Sequence, residues 1–277
     1  MRYGVWTDYL RNTSPEEAAA VFSAKGWHDL ELSTEHGEML VARGGDPAEV
    51  GARFKAVADR YGVRFPQGHL LLGADITEDG TVDILKRWLD LYYGVGIKAC
   101  VLHAGGDQMR QSGRSQQEVD AANVNALKAL CTHISGRDQY ICLENLVKSY
   151  RSAADLRELI DAVGSPQLKI CLDTGHLNRV GGSQEEFVRE AGALLKALHI
   201  NDNEGETDQH LIPYGRGNVR WDELINALAA LEEPYDGLFN FEIPGESNAP
   251  FEVLMAKLDY LRQVAEYMVG RIAEASR

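Results

Sequence analysis

The chain has 277 residues, 44% hydrophobic and 25% charged, a balance that excludes a disordered, collagen-like or small disulfide-stapled chain. Its 42 acidic and 28 basic residues leave a formal charge of −14, which disfavours nucleic acid as a partner through long-range repulsion. Barrels of alternating strands and helices use about 250 residues as one domain, so a single domain spanning 1–277 is expected.

The first residues, Met1-Arg2-Tyr3-Gly4-Val5-Trp6, read directly into a strand and lack the apolar run of a signal peptide. No run approaches the ~18 apolar residues of a membrane span. The expectation is a cytoplasmic protein with no membrane partner. Cys100, Cys131, Cys142 and Cys171 form no CxxC pair and read as small buried packing residues of a reducing compartment. Asn12-Thr13-Ser14 matches a glycosylation sequon, which has no consequence in such a compartment.

In chain order, the first strand is predicted over Tyr3–Asp8. Ser14-Pro15-Glu16-Glu17 then places a cap, a proline and two acids at the start of a helix over 15–25, which Gly26 stops. A second strand, Asp29–Ser33, is followed by a helix over 46–61 that starts at Asp46-Pro47 and stops at Gly62. Strand three is Arg64–His69, with a helix over 81–94 ending at Gly94-Val95-Gly96. Strands Ala99–His103, Tyr140–Glu144, Lys169–Asp173, Ala197–Asn201 and Leu238–Ile243 follow. Helices over 116–134, 152–163, 184–195 and 221–231 separate them, and a last helix covers 250–274. No Pro/Ser-rich linker interrupts the series. Eight strand–helix units of about 35 residues predict an α/β chain folded as one closed (β/α)8 barrel. An open doubly wound sheet is the alternative. It would carry a glycine-rich turn after the first strand, where this chain has Trp6-Thr7-Asp8.

The strand ends carry the chemical information. Successive apolar runs stop at His69, His103, Glu144-Asn145, Asp173-Thr174-Gly175-His176, His199 and Glu242. In a barrel these ends converge on one mouth, where active sites lie. Strand parity allows Glu144, Asp173, His199 and Glu242 all to point inward. Burying three carboxylates and a histidine together is costly unless a cation compensates. Imidazole and carboxylate donors suit Mn, Co, Zn or Fe better than Ca.

After strand seven, Asp208-Gln209-His210 reads either as further metal ligands or as a solvated polar loop. Arg216, between Gly215 and Gly217, either approaches a polyol or phosphate or lies on the surface. Trp6 reads as a wall for a sugar ring or as core, and His28, His36 and His133 as surface or structural residues. No G-x-S-x-G turn supports serine catalysis, and no cysteine stands at a strand end beside a histidine.

The segments LHAGG (102–106), LEN (143–145), LDTGH (172–176), HIND (199–202), DQHLIPYGRGNVRW (208–221) and FEIPGE (241–246) resemble the xylose-isomerase-like TIM-barrel superfamily over nearly the whole chain. Within it they look most like the single-metal sugar isomerases and epimerases, a group that includes ketose 3-epimerases and inosose isomerases. The resemblance implies a metal held by Glu144, Asp173, His199 and Glu242, with the two glutamates doubling as the acid/base pair. It also implies that His176 and Arg216 touch substrate oxygens, and His69 and His103, at neighbouring strand ends, are expected to bind substrate beside them. No organic cofactor is expected, the substrate is a small sugar, and homo-oligomerisation is left open. The same superfamily holds the endonuclease IV enzymes, which carry three zincs and act on abasic DNA. Their ligand set also has counterparts here: His69, His103 and Glu144; Asp173, His199 and Glu242; His176, Asp208 and His210. A further branch performs dehydratase or lyase chemistry on keto-sugars and dehydroshikimate.

Overall fold

The computed structural model describes residues 1–276. Its strands are β1 (Arg2–Trp6), β2 (Asp29–Leu32), β3 (Arg64–His69), β4 (Ala99–Leu102), β5 (Tyr140–Glu144), β6 (Leu168–Asp173), β7 (Leu195–Ile200) and β8 (Leu238–Phe241). They pair in sequence order as one closed parallel barrel. Closure comes from β1 against β8, in register from Arg2 opposite Leu238 to Val5 opposite Phe241.

The helices are α1 (Pro15–Ala24), α2 (Thr34–Val41), α3 (Pro47–Arg60), α4 (Thr81–Val95), α5 (Asp107–Gln111), α6 (Gln116–His133), α7 (Ala153–Val163), α8 (Thr174–Arg179), α9 (Gln184–Ala191), α10 (Trp221–Ala229) and α11 (Phe251–Ala275). The starts at Ser14 and Asp46 accept backbone N–H groups as their sequence predicts, Ser183 accepts one likewise, and Ser115 and Ser152 complete capping boxes.

Two expectations are corrected. Eight long helices were expected, whereas α2, α5 and α8 add short turns of five to eight residues at the strand ends. Such pieces are too short to show helical periodicity, but Ser33 and Asp173 cap two of them. The first strand also ends at Trp6 rather than Asp8, and Thr7–Leu10 turn as a 3₁₀ helix. There the Thr7 hydroxyl accepts the Ser33 N–H at 2.9 Å, so a side chain replaces the strand ladder.

Alternation along the strands sorts the core in two. Outward residues such as Leu30, Leu32, Leu143, Leu172, Leu198, Phe239 and Phe241 pack under the helices. Each such side chain contributes about 1.5–3 kcal/mol by leaving water. Inside the barrel lies a small separate cluster of Ala99, Val101, Cys142, Cys171 and Ala197. All four cysteines are free and buried. Two residues beyond Val101, Cys142, Cys171 and Ala197, on the same inward face, stand His103, Glu144, Asp173 and His199. The small residues fill the barrel and the polar ones cap its C-terminal mouth. Among the described residues, no helix is long and apolar enough to cross a membrane.

Candidate metal centre and active site

The mouth gathers nearly every residue singled out from the sequence. Asp173, His199 and Glu242 each offer a ligand atom within 4.8 Å of the others, as do His69, His103 and Glu144, and Glu144, Asp173 and His176. Glu144 therefore joins the clusters, and all four proposed ligands are buried. The Nδ1 of His199 lies 3.3 Å from Glu144 Oε2 and 3.4 Å from Glu242 Oε1, so the two glutamates flank one nitrogen.

Backbone carbonyls set the tautomers of three histidines. A carbonyl can only accept, so the ring nitrogen beside it carries the proton. His69 Nδ1 donates to Leu70 O at 2.7 Å, His176 Nδ1 to Asn145 O at 3.0 Å, and His210 Nδ1 to Glu242 O at 2.8 Å. Each ring then aims Nε2 at a carboxylate: His69 at Glu144 (3.4 Å), His176 at Asp208 (3.2 Å) and His210 at Asp208 (3.5 Å). His103 Nε2 also faces Glu144, at 3.1 Å. Neutral imidazoles aimed at carboxylates bring lone pairs together, which is favourable only with a proton or a cation between them. His69 Nε2 and His199 Nδ1 are buried and have no hydrogen-bond partner. This donor set fits a divalent transition metal.

Asparagines hold the carboxylates in place. Asn145 bridges β5 and β6, donating to Asp173 O at 3.0 Å and accepting from Asp173 N at 2.8 Å. Asn201 Nδ2 donates to Asp173 Oδ2 at 2.9 Å and reaches Glu242 Oε2 at 3.4 Å. The Thr174 hydroxyl donates to Asn201 O at 2.7 Å. Gly175 is required by this packing, because a Cβ there would lie 1.9 Å from Asn201 Oδ1.

Burial works against every charge at the mouth. At Glu144 it is outweighed by the imidazoles of His199 and His103, which hold the carboxyl well below the ordinary range. At Glu242 burial prevails, and repulsion from Asp173 and Glu144 adds to it against His199 and His210, so this carboxyl lies well above that range. His176 is raised well above an ordinary imidazole, since Asp173, Asp208 and Glu144 overcome its burial. His210 is likewise raised to about 10, by Glu242 and Asp208 against burial.

The loop after β7 thus delivers Asp208 and His210 to the mouth. His210 adopts φ 48°, a left-handed conformation uncommon for a non-glycine residue. Trp6 is buried and stacks on His210 with ring centroids 6.4 Å apart. Arg216 is not brought to the cluster: its side chain is 67% exposed, with Nε 3.6 Å from Glu204 Oε2. His28 is exposed, His36 is buried with Nε2 3.1 Å from Thr13 O, and His133 pairs with Asp90 at 2.8 Å.

Glu31 escaped the sequence reading. This carboxylate is fully buried on β2 and lies 3.0 Å from His199 Nε2. Its signal was an acid between Leu30 and Leu32, in a short strand that also begins with Asp29.

A protein of Sinorhizobium fredii described as uncharacterized is 28% identical over 166 residues, covering 59% of this chain and 52% of that one. The probable endonuclease 4 of Mycoplasma pneumoniae is 27% identical over 166 residues, 53% of this chain and 55% of that one. The chain thus spans about half the length of these curated relatives. A crystal structure of a D-tagatose 3-epimerase-like protein superposes with a TM-score of 0.79 at 18% identity, over 100% of both chains. The model of the xylose isomerase-like TIM barrel family matches residues 24–264, and the chain belongs to that family.

Proposed function

We propose that the chain is a divalent-metal-dependent isomerase or epimerase of a ketose, keto-polyol or related sugar. The observation that carries this reading is the pair of buried glutamates that both approach His199 Nδ1, Glu144 at 3.3 Å and Glu242 at 3.4 Å. Two carboxyls brought together in one site can serve as base and acid. Glu144, Asp173, His199 and Glu242 would hold the metal. When bound, that metal supplies Lewis-acid polarisation of a substrate carbonyl. Glu144, kept ionised by its imidazole neighbours, takes the proton from the carbon beside the carbonyl. Glu242, whose carboxyl lies 3.4 Å from the same His199 nitrogen, is the acid that returns a proton to the opposite face or to the adjacent carbon. His176 and His103 line the same mouth and are placed to orient hydroxyls, and the Trp6–His210 stack offers a flat wall. The overlap with a D-tagatose 3-epimerase-like fold is consistent with this chemistry.

One observation favours a second reading. His69 and His103 on one side, and His176, Asp208 and His210 on the other, add ligand groups beyond those four. Such a set suits three zincs and hydrolysis of a phosphodiester in abasic DNA, and the Mycoplasma relative is named a probable endonuclease. The charge of −14 weighs against a DNA substrate.

Metal analysis by mass spectrometry, run beside a sugar panel in heavy water, separates the two. One metal per chain with solvent deuterium on the carbon beside the carbonyl is expected. Three metals with cleavage of abasic DNA would overturn the first reading in favour of the second.

A further inference from the structure

Glu31 is a fully buried carboxylate inside the barrel. Among the described residues, no lysine or arginine pairs with it. Its partners are His199 Nε2, 3.0 Å from Oε1, and Asn240 Nδ2, which donates to Oε2. A buried charge with so little compensation is costly. The arrangement has one chemical consequence. A carboxylate accepts only, so Glu31 draws the imidazole proton of His199 to Nε2. That leaves Nδ1 as the atom facing Glu144 and Glu242, where it has no hydrogen-bond partner. With the proton on Nδ1 instead, the ring would donate to one of those glutamates and could not ligate a cation.

We propose that Glu31 is a positioning residue that selects the His199 tautomer and thereby makes Nδ1 a metal ligand. The inference rests on the metal-dependent reading above. Glu31 touches neither substrate nor metal; it acts through His199. Carboxylates behind ligating histidines raise ligand basicity as well as fixing the ring. Asn240, on β8, holds the second oxygen and so fixes the carboxylate plane.

The same contacts would also tie β2 to β7 and β8 without any role toward a metal, and the test separates the two. Cobalt(II) affinity of the full chain is measured by chelator competition, read from visible absorption, beside thermal melting without metal. In Glu31→Leu, affinity should fall by about 10–100-fold, the usual effect of losing such a partner. In Glu31→Gln most of it should return. The Gln carbonyl still accepts from His199, and its amide can donate to Asn240 Oδ1, which has no partner, after Asn240 turns its amide over. A purely structural role would lower the melting temperature of Glu31→Leu and leave affinity within about threefold, which would overturn the proposal.

A second measurement needs no variant. In long-range proton–nitrogen spectra of the zinc-loaded wild type, the His199 proton should reside on Nε2. A proton on Nδ1 overturns the proposal even if Glu31→Leu fails to fold. Wild type that binds no cobalt removes the metal reading and this role with it. Wild type and Glu31→Leu binding cobalt equally removes this role alone.

Discussion

The Nε2 of His176 lies 3.2 Å from Asp208 Oδ2, joining α8 to the loop after β7 across 32 positions of sequence. His176 is held from its other side by the Asn145 carbonyl, and Asp208 also faces His210 at 3.5 Å. Burial alone would raise the Asp208 carboxyl, but the two imidazoles hold it well below the ordinary range. Charge-assisted contacts thereby help to hold the loop at the mouth.

Asp208→Asn tests what that anchor does. If Glu144, Asp173, His199 and Glu242 form a complete site, the variant should keep the wild-type metal content. It should still bind substrate more weakly, because His176 loses its orientation, so KM is expected to rise about 10-fold or more with kcat changed less. Loss of one or more metals per chain by mass spectrometry would instead make Asp208 a ligand and support the three-metal reading.

Removing a ligand should act on the metal itself. Asp173→Ala or His199→Ala is expected to weaken metal binding by at least about 10–100-fold, since each deletes a buried donor from the cluster. Chelator titration with metal analysis checks this. Either variant retaining a full metal complement and full activity would refute the assignment.

Gly175→Ala probes the support of the site. The added methyl meets Asn201 Oδ1 at 1.9 Å and Asn203 Nδ2 at 2.8 Å, both buried. Displacing Asn201 removes the donor on Asp173 and loosens Glu242. A loss of about 1–3 kcal/mol is expected from overpacking, together with weaker metal binding. Urea unfolding and metal titration read the two effects separately. A variant as stable and as tight as wild type would show that the asparagine does not hold the carboxylates.

Much of this arrangement was legible in the sequence because it follows period 2 along strands. His69, His103, Glu144, Asp173, His199 and Glu242 interrupt apolar runs at their C-terminal ends, and parallel topology brings such ends together. The loop after β7 was less legible. Strand parity cannot say whether a D-x-H pair faces in or out, and Asp208 and His210 turned in while Arg216 stayed exposed. That outcome depends on local anchors, including the antiparallel bridge of Asp202 with Leu211 and the buried Asp202 carboxylate that accepts from Val219 N and Trp221 Nε1. Glu31 was missed because its acid lies within its strand rather than at a run's end, and only closure of the barrel reveals His199 beside it.

Asp8 gives a stability change with pH. Burial raises its carboxyl to about 6, against the pull of Arg11 at 2.5 Å and with a push from Glu35. The unfolded value is about 3.9. Between these values the folded chain binds more protons at this group than the unfolded chain, so this contribution is present in full below about 4 and is lost as pH rises through about 6. Asp8→Asn removes the group. Denaturant unfolding at pH 4 to 7 should show the variant gaining on wild type as pH rises. A difference independent of pH across that window would mean that Asp8 titrates normally in the fold.

The paired glutamates carry the riskiest prediction. Glu144→Gln and Glu242→Gln each keep the side-chain shape, and the fold should survive. An amide neither accepts nor returns a proton, so turnover should fall by about 10²–10⁴-fold in each, the usual worth of a positioned acid or base. The amide is also a poorer ligand, so metal content must be measured beside the rate, and the comparison made at saturating metal. The two variants separate the proposed roles of base and acid. Glu144→Gln should abolish exchange of substrate hydrogen with heavy water in one direction of the reaction, because the base is gone. Glu242→Gln should retain that exchange while product formation stalls, because the proton taken by Glu144 can still be returned to the same face. Exchange lost equally in both variants would show that the two groups act only together, and activity surviving in both would leave the site without an acid/base pair and give the hydrolytic reading precedence.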